Sequence, residues 1–172
     1  MIVANTDAKI ATHEQAAHLL AGARDEGHVV VLTNGVFDLL HLGHVRYLQE
    51  ARTLGDLLVV GLNDDQSTRR IKGRARPLVP LDERAVVVAA LECVDLVVSF
   101  GEDTAEALVT ELQPDVYVKG GDYNPRAAPG QKGFLPEAAC VARYGGRVAI
   151  LSYLPGHSTS TLVHLIVSRY TT

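Results

Sequence analysis

Apolar residues along the chain form short continuous runs separated by stretches of helical period. The segment "HEQAAHLLAGARDE", residues 13–26, spaces Ala16, Ala17, Leu20 and Ala23 along one helical face, and Thr12 stands ahead of it as an N-cap. "HVVVLTN" (28–34) is an unbroken Val/Leu run, the pattern of a parallel strand covered on both faces. "HVRYLQEARTLG" (44–55) returns to helical spacing through Val45, Leu48 and Leu54 and predicts a C-cap at Gly55. "DLLVVGLN" (56–63) is the second strand, so the order is βαβ.

The alternation persists to the end. A helix over 64–71, a loop over 72–80 and a helix from Asp82 lead to a third strand at 94–100. A helix within 102–113 leads to a fourth strand at 114–121, and a fifth occupies 147–153. Residues 122–146 begin as a Pro/Gly-rich loop, longer than a crossover needs and therefore a candidate lid, and continue as a helix over about 135–144. Such regularity predicts an α/β fold: a Rossmann-like, doubly wound, five-stranded parallel sheet with helices on both faces. Residues 28–172 read as one domain, with 1–27 as a helical extension packed on its core.

Composition narrows the functions available. The 172 residues are 47% hydrophobic with no Trp, so the core is built mainly from Val, Leu and Ala. A formal net charge of -4 supplies no basic field for a phosphate backbone, which argues against a nucleic-acid partner and favours small anions. Cys93 and Cys140 lie far apart in apolar settings and read as buried free thiols. The N-terminus has neither a basic nor an apolar leader region, and no stretch is long enough to span a bilayer. No membrane partner and a cytoplasmic location are therefore expected.

In an open α/β sheet, ligands bind beyond the carboxyl ends of the strands. Polar residues collect there. Thr33, Asn34, Asp38, His41 and His44 follow the first strand, and Asn63 and Asp64 follow the second, with Arg69, Arg70 and Lys72 downstream. Lys119 and Asp122 follow the fourth, and His157, Ser158, Thr159 and Ser160 the fifth. Two of these ends run into helix N-termini, whose unpaired N–H groups and dipole favour an anion.

His41 and His44, at i and i+3 of a first helical turn, can present two N–H donors to one phosphate, and Gly43 and Gly35 leave the backbone open to it. Metal ligation is the main competing account, but a stable zinc site needs three or four protein ligands and no third His or Cys is nearby. Two histidines that only cap a helix are the plainer alternative. Taken alone, Lys72 or Arg84 reads as a solvated charge and Ser158–Ser160 as an N-cap; sharing one rim with the histidines argues for a role. The chain has no GxGxxG after its first strand and no P-loop.

"GVFDLLHLGH" resembles the GxFDxxHxGH signature of the nucleotidyltransferase superfamily that also gives class I aminoacyl-tRNA synthetases their HIGH motif. "VKGGDY", "RPLVPLDERAVVVAALECVDLVV" and "LPEA…YGGRVAILSYLPGHSTS" are similar to the adenylyltransferase domains of ADP-heptose synthases, over about residues 28–168. The resemblance implies that His41 and His44 contact ATP phosphates and that Lys72 holds the reacting phosphates. Thr33, Asn34, Gly35, Phe37, Gly43, Asn63 and the Ser158-Thr159-Ser160 turn would form the nucleotide site. Asp38, Arg84, Lys119, Gly120 and Asp122 would face the acceptor, with Asp38 matching the motif aspartate. Members acting on glycerol phosphate carry an arginine shortly before the Ser-Thr turn, and "YLPGHST" has none.

The chemistry implied is transfer of AMP from ATP to D-glycero-D-manno-heptose 1-phosphate with release of pyrophosphate. A sugar 1-phosphate has a second pKa near ~6, so it is already an anionic nucleophile at neutral pH. The protein then has only to align two anions and neutralise charge, with Mg²⁺ carried largely by ATP itself. Rival readings are a glycerol-3-phosphate or other phospho-alcohol cytidylyltransferase on the same scaffold, and a non-catalytic nucleotide-binding module. A homodimer is the default assembly for a small enzyme, and a separate sugar kinase would supply the acceptor.

Overall fold

The computed structural model describes residues 5–121 and 123–170. After a 3-10 turn at Thr6–Lys9, the elements run β1 (Ile10–Ala11), α1 (His13–Asp25), β2 (Val30–Gly35), α2 (Leu42–Arg52), β3 (Leu57–Asn63), α3 (Asp65–Lys72), α4 (Leu81–Ala89) and β4 (Leu96–Phe100). They continue through α5 (Glu106–Leu112), β5 (Val116–Gly120), α6 (Glu137–Arg143), β6 (Arg147–Leu151) and α7 (Thr159–Tyr170). The sheet is entirely parallel, in the order β1-β4-β3-β2-β5-β6.

Six strands therefore stand where the apolar runs predict five. The addition is β1, whose two residues pair with Val97 and Val98 at the sheet edge and are too few to show any period in the sequence. Thr12 caps α1 as expected, in a reciprocal capping box: its hydroxyl accepts from the Gln15 amide at 3.2 Å while the Gln15 side chain accepts from the Thr12 amide at 2.9 Å. Gly55, in contrast, is not the C-cap of α2; Thr53 is. A Cβ at Gly55 would lie 2.7 Å from the Val29 carbonyl, so the glycine is there for close backbone packing against the start of β2.

Side chains alternate between two cores. Val30, Leu32, Val59 and Tyr117 face α1, α5 and α6, whereas Val31, Leu58, Val60, Leu62 and Val118 face α2 and α4. Each such fully buried aliphatic contributes about 1.5–3 kcal/mol. An aspartate at or just before each of three strand starts joins neighbours at the opposite edge from the site: Asp56 accepts from the Val29 amide (2.8 Å), Asp95 from Leu58 (2.7 Å) and Asp115 from Val30 (2.8 Å).

The chain winds outward from β2 through β3 and β4, then returns to place β5 and β6 on the other side of β2. The carboxyl ends of β2 and β5 thus form the topological switch point, where adjacent connections leave in opposite directions and open a crevice.

Candidate active site

A cleft of about 950 Å³ lies over that switch point. Asn34, Gly35, Phe37, Asp38, His41, Gly43 and His44 line it from the β2–α2 segment, Asn63 and Lys72 from β3 and α3, Lys119 and Gly120 from β5, and Ser158, Thr159 and Ser160 from the start of α7. Asp122 lies outside the described residues. Thr33 and Arg84 do not line the cleft.

The histidine pair is built from the turn before α2. Phe37 adopts the left-handed region (φ 47°), uncommon for a bulky residue, and sets its ring 5.1 Å from that of His44. His41 is the N-cap of α2: its Nδ1 accepts from the His44 backbone N–H at 3.4 Å. Capping and ligand binding are compatible, because a neutral ring whose Nδ1 accepts carries its proton on Nε2, leaving that donor for an anion. The two imidazoles stack with centroids 3.8 Å apart. A Cβ on Gly43 would come 3.0 Å from the His41 ring and 3.1 Å from His157, so glycine permits the histidine turn and the α7 approach to close on one another.

Burial, followed by the neighbouring His41 ring, lowers the His44 pKa to about 4 against a weaker opposing effect of the Leu39 carbonyl. Its Nδ1 is buried without a hydrogen-bond partner among the described residues. Burial and then His157 also lower the His41 pKa. Both shifts favour the neutral rings. An anion raises both pKa values, so ring-dependent affinity should rise as pH falls through the bound-state values and level off near the free His44 value of about 4. Calorimetry of ATP binding at about pH 6.5 in buffers of different ionisation enthalpy should show net proton uptake, smaller in His44→Ala; equal uptake would remove His44 from the contact.

Asp38 secures the loop that follows α3. One carboxylate oxygen accepts from the amides of Leu78 (2.8 Å) and Val79 (2.9 Å), and the other pairs with Arg76 at 2.6 Å. Burial alone would raise its pKa, but these amides and the guanidinium outweigh burial and hold it below the usual carboxylate range. Arg76 itself lines the cleft, a cation that the spacing of motifs does not reveal.

At the switch point, Asn34 Oδ1 accepts from the Tyr117 hydroxyl (2.6 Å) and from Lys119 Nζ (3.1 Å). Both neighbours donate, so the amide is oriented with Nδ2 as the group left for a ligand. Burial lowers the Lys119 pKa; Glu137 opposes that shift and Lys72 adds to it, which places the two lysines within each other's field. At the other helix end, the Ser158 hydroxyl accepts from the Thr161 amide at 3.1 Å, so the Ser-Thr-Ser turn caps α7 while facing the cleft.

Two residues expected to touch ligand are engaged elsewhere. Thr33 is fully buried, and its hydroxyl meets the Tyr47 hydroxyl at 2.7 Å. Tyr47 also donates to the Val118 carbonyl at 3.2 Å, so this pair braces α2 against β2 and β5. Arg84 is 1% exposed and directs its guanidinium to the carbonyls of Val79, Val36 and Asn63 and to the Asp65 carboxylate. All five of its N–H donors are committed. Sequence reasoning passed over Tyr47, Tyr117 and Glu137. The signals were faint: Tyr47 is one turn beyond His44, and Tyr117 is two residues from Lys119 on the same strand.

Of the remaining carboxylates at the cleft, Asp103 pairs with Arg70 at 2.7 Å, and Glu137 accepts from the Ala105 amide at 2.9 Å through one of its two oxygens. Among the described residues no group of three or more His, Cys, Asp or Glu side chains is placed to hold a metal ion. The donors fit phosphate oxygens far better than a protein-held cation: neutral imidazoles, two lysines, Arg76 and the starts of two helices.

The family model described as cytidylyltransferase-like matches residues 32–134, which span the histidine motif and the crevice strands. The bifunctional protein HldE of Trichlorobacter lovleyi is 47% identical over 97% of this chain, and that of Syntrophotalea carbinolica 49% identical over 95%. The chain spans about a third of the length of these relatives, 33% and 32%. Among solved structures, a lipopolysaccharide core biosynthesis protein from Thermoplasma volcanium is 33% identical, with a TM-score of 0.56 over 74% of this chain and 98% of its own. The chain belongs to the cytidylyltransferase-like family.

Proposed function

We propose that this domain transfers AMP from ATP to D-glycero-D-manno-heptose 1-phosphate, giving ADP-heptose and pyrophosphate. The observation that carries the reading is the convergence of the stacked His41–His44 pair and the α7 start on one cleft at the switch point. The similarity to HldE proteins and to a lipopolysaccharide core biosynthesis protein supports a heptose acceptor.

An oxygen of the sugar 1-phosphate dianion attacks the α-phosphorus of ATP, the bond to the bridging oxygen breaks, and pyrophosphate leaves with the electron pair. The nucleophile is already anionic at neutral pH, so no side chain has to remove a proton. His41 and His44 and the first amides of α2 and α7 hold the triphosphate, and Lys72, Lys119 and Arg76 offset the charge of two anions brought together. Mg²⁺ belongs to the reading as the ATP complex; among the described residues the cleft carboxylates form no cage for it, and no step is assigned to it.

An upstream kinase supplies the sugar 1-phosphate, ATP as donor suits a cytoplasmic setting, and the enzyme works as a homodimer. Among the described residues no helix is long and apolar enough to cross a membrane. The test is pyrophosphate release from ATP, CTP or GTP against a panel of phosphorylated acceptors. Release with ATP and the heptose 1-phosphate is the expected result. Release with CTP and glycerol 3-phosphate or phosphoethanolamine instead would establish a phospho-alcohol cytidylyltransferase, and nucleotide binding with no release a non-catalytic module.

A further inference from the structure

The cleft has two unlike walls. α2 packs on one face of the sheet, whereas α5 and α6 pack on the other, so their N-terminal ends border the cleft from opposite sides. The first wall carries His41 and His44. The second carries Asp103 and Thr104 ahead of α5, and Leu135 and Glu137 leading into α6.

Glu137 is the unusual member. It lines the cleft yet is 4% exposed, and among the described residues no cation lies within ion-pair distance of it. One oxygen accepts from the Ala105 amide, and the nearby Tyr117 hydroxyl gives its proton to Asn34. A carboxylate offers about four acceptor sites, so capacity remains after the Ala105 contact. With only the Ala105 amide and the field of Lys119 to offset it among the described residues, a carboxylate buried in an anion-binding cleft is costly and would repel phosphate. The part of the ligand that meets it must therefore be uncharged and rich in donors. Vicinal hydroxyls meet that description.

We propose that Glu137 is a specificity-determining residue, whose carboxylate accepts hydrogen bonds from hydroxyls of a polyhydroxylated acceptor and selects it over phosphorylated compounds lacking them. The inference rests on the sugar phosphate reading above. Glu137→Gln keeps an acceptor for the Ala105 amide and removes the charge. Pyrophosphate release is measured with ATP, D-glycero-D-manno-heptose 1-phosphate and its monodeoxy analogues.

In the native protein at least one monodeoxy analogue should lose about ten- to a hundredfold in kcat/KM, the scale of a hydrogen bond to a charged group. Glu137→Gln should raise KM for the parent sugar by a similar factor, leave KM for ATP unchanged, and no longer distinguish that analogue from the parent. The ratio of two substrates on one preparation is independent of the folded fraction, so even a destabilised variant discriminates between the outcomes. A variant that keeps the native discrimination overturns the assignment of Glu137 alone. No turnover of any sugar 1-phosphate by the native protein overturns the sugar phosphate reading itself.

Discussion

Replacing His44 by alanine is expected to lower kcat by about 10²–10³-fold, the cost of losing one preorganised donor to a developing anion. The fold should survive. The imidazole stacks on His41 and meets the Phe37 ring at a tilt of 54°, but its buried Nδ1 has no partner among the described residues, so the packing lost is offset by relief of an unsatisfied polar atom. Stability should change by no more than about 1 kcal/mol, which thermal unfolding of the purified variant checks. Steady-state pyrophosphate release supplies the rate. A folded His44→Ala enzyme with native turnover would remove this ring from catalysis.

Arg84 should give the opposite result, a large stability effect. Its guanidinium joins the residue after β2 (Val36), the end of β3 (Asn63), the first residue of α3 (Asp65) and the residue before the α4 cap (Val79), at 2.7–3.0 Å. A lysine offers a point charge in place of a planar fork and cannot serve four segments at once. Arg84→Lys and Arg84→Met should each cost about 3–5 kcal/mol, since carbonyls and a carboxylate are left unpaired in a buried setting. For a chain of this size that is a fall in Tm of roughly 6–20 °C. Activity should fall with the folded fraction and with the loosened rim, and KM for ATP and acceptor should move together. A rise confined to the acceptor KM at native Tm would instead make Arg84 an acceptor contact.

The difference between these two residues shows what a linear sequence makes legible. His41 and His44 are readable because their arrangement is local: one turn of helix fixes both their spacing and their shared face. Continuous apolar strands such as β2 and β3 are readable for a similar reason, since burial on both faces removes any period. Arg84 sits in "DERAVVVAALE" among the charges of an amphipathic helix, and nothing local announces that three distant carbonyls surround it. Thr33 ends a strand at the ligand rim, as many binding residues do, but its partner Tyr47 comes from the following helix. β1 escaped notice because two residues have no period, and Glu137 because its burial depends on α5 and α6 meeting.

The central claim is that the two stacked imidazoles and the starts of α2 and α7 jointly hold the triphosphate. A crystal structure with a non-hydrolysable ATP analogue tests it most directly. The account predicts phosphate oxygens within hydrogen-bond distance of His41 Nε2, the His44 ring and the first backbone amides of α7. Phosphate density away from both rings and from the Ser158–Ser160 turn would contradict it.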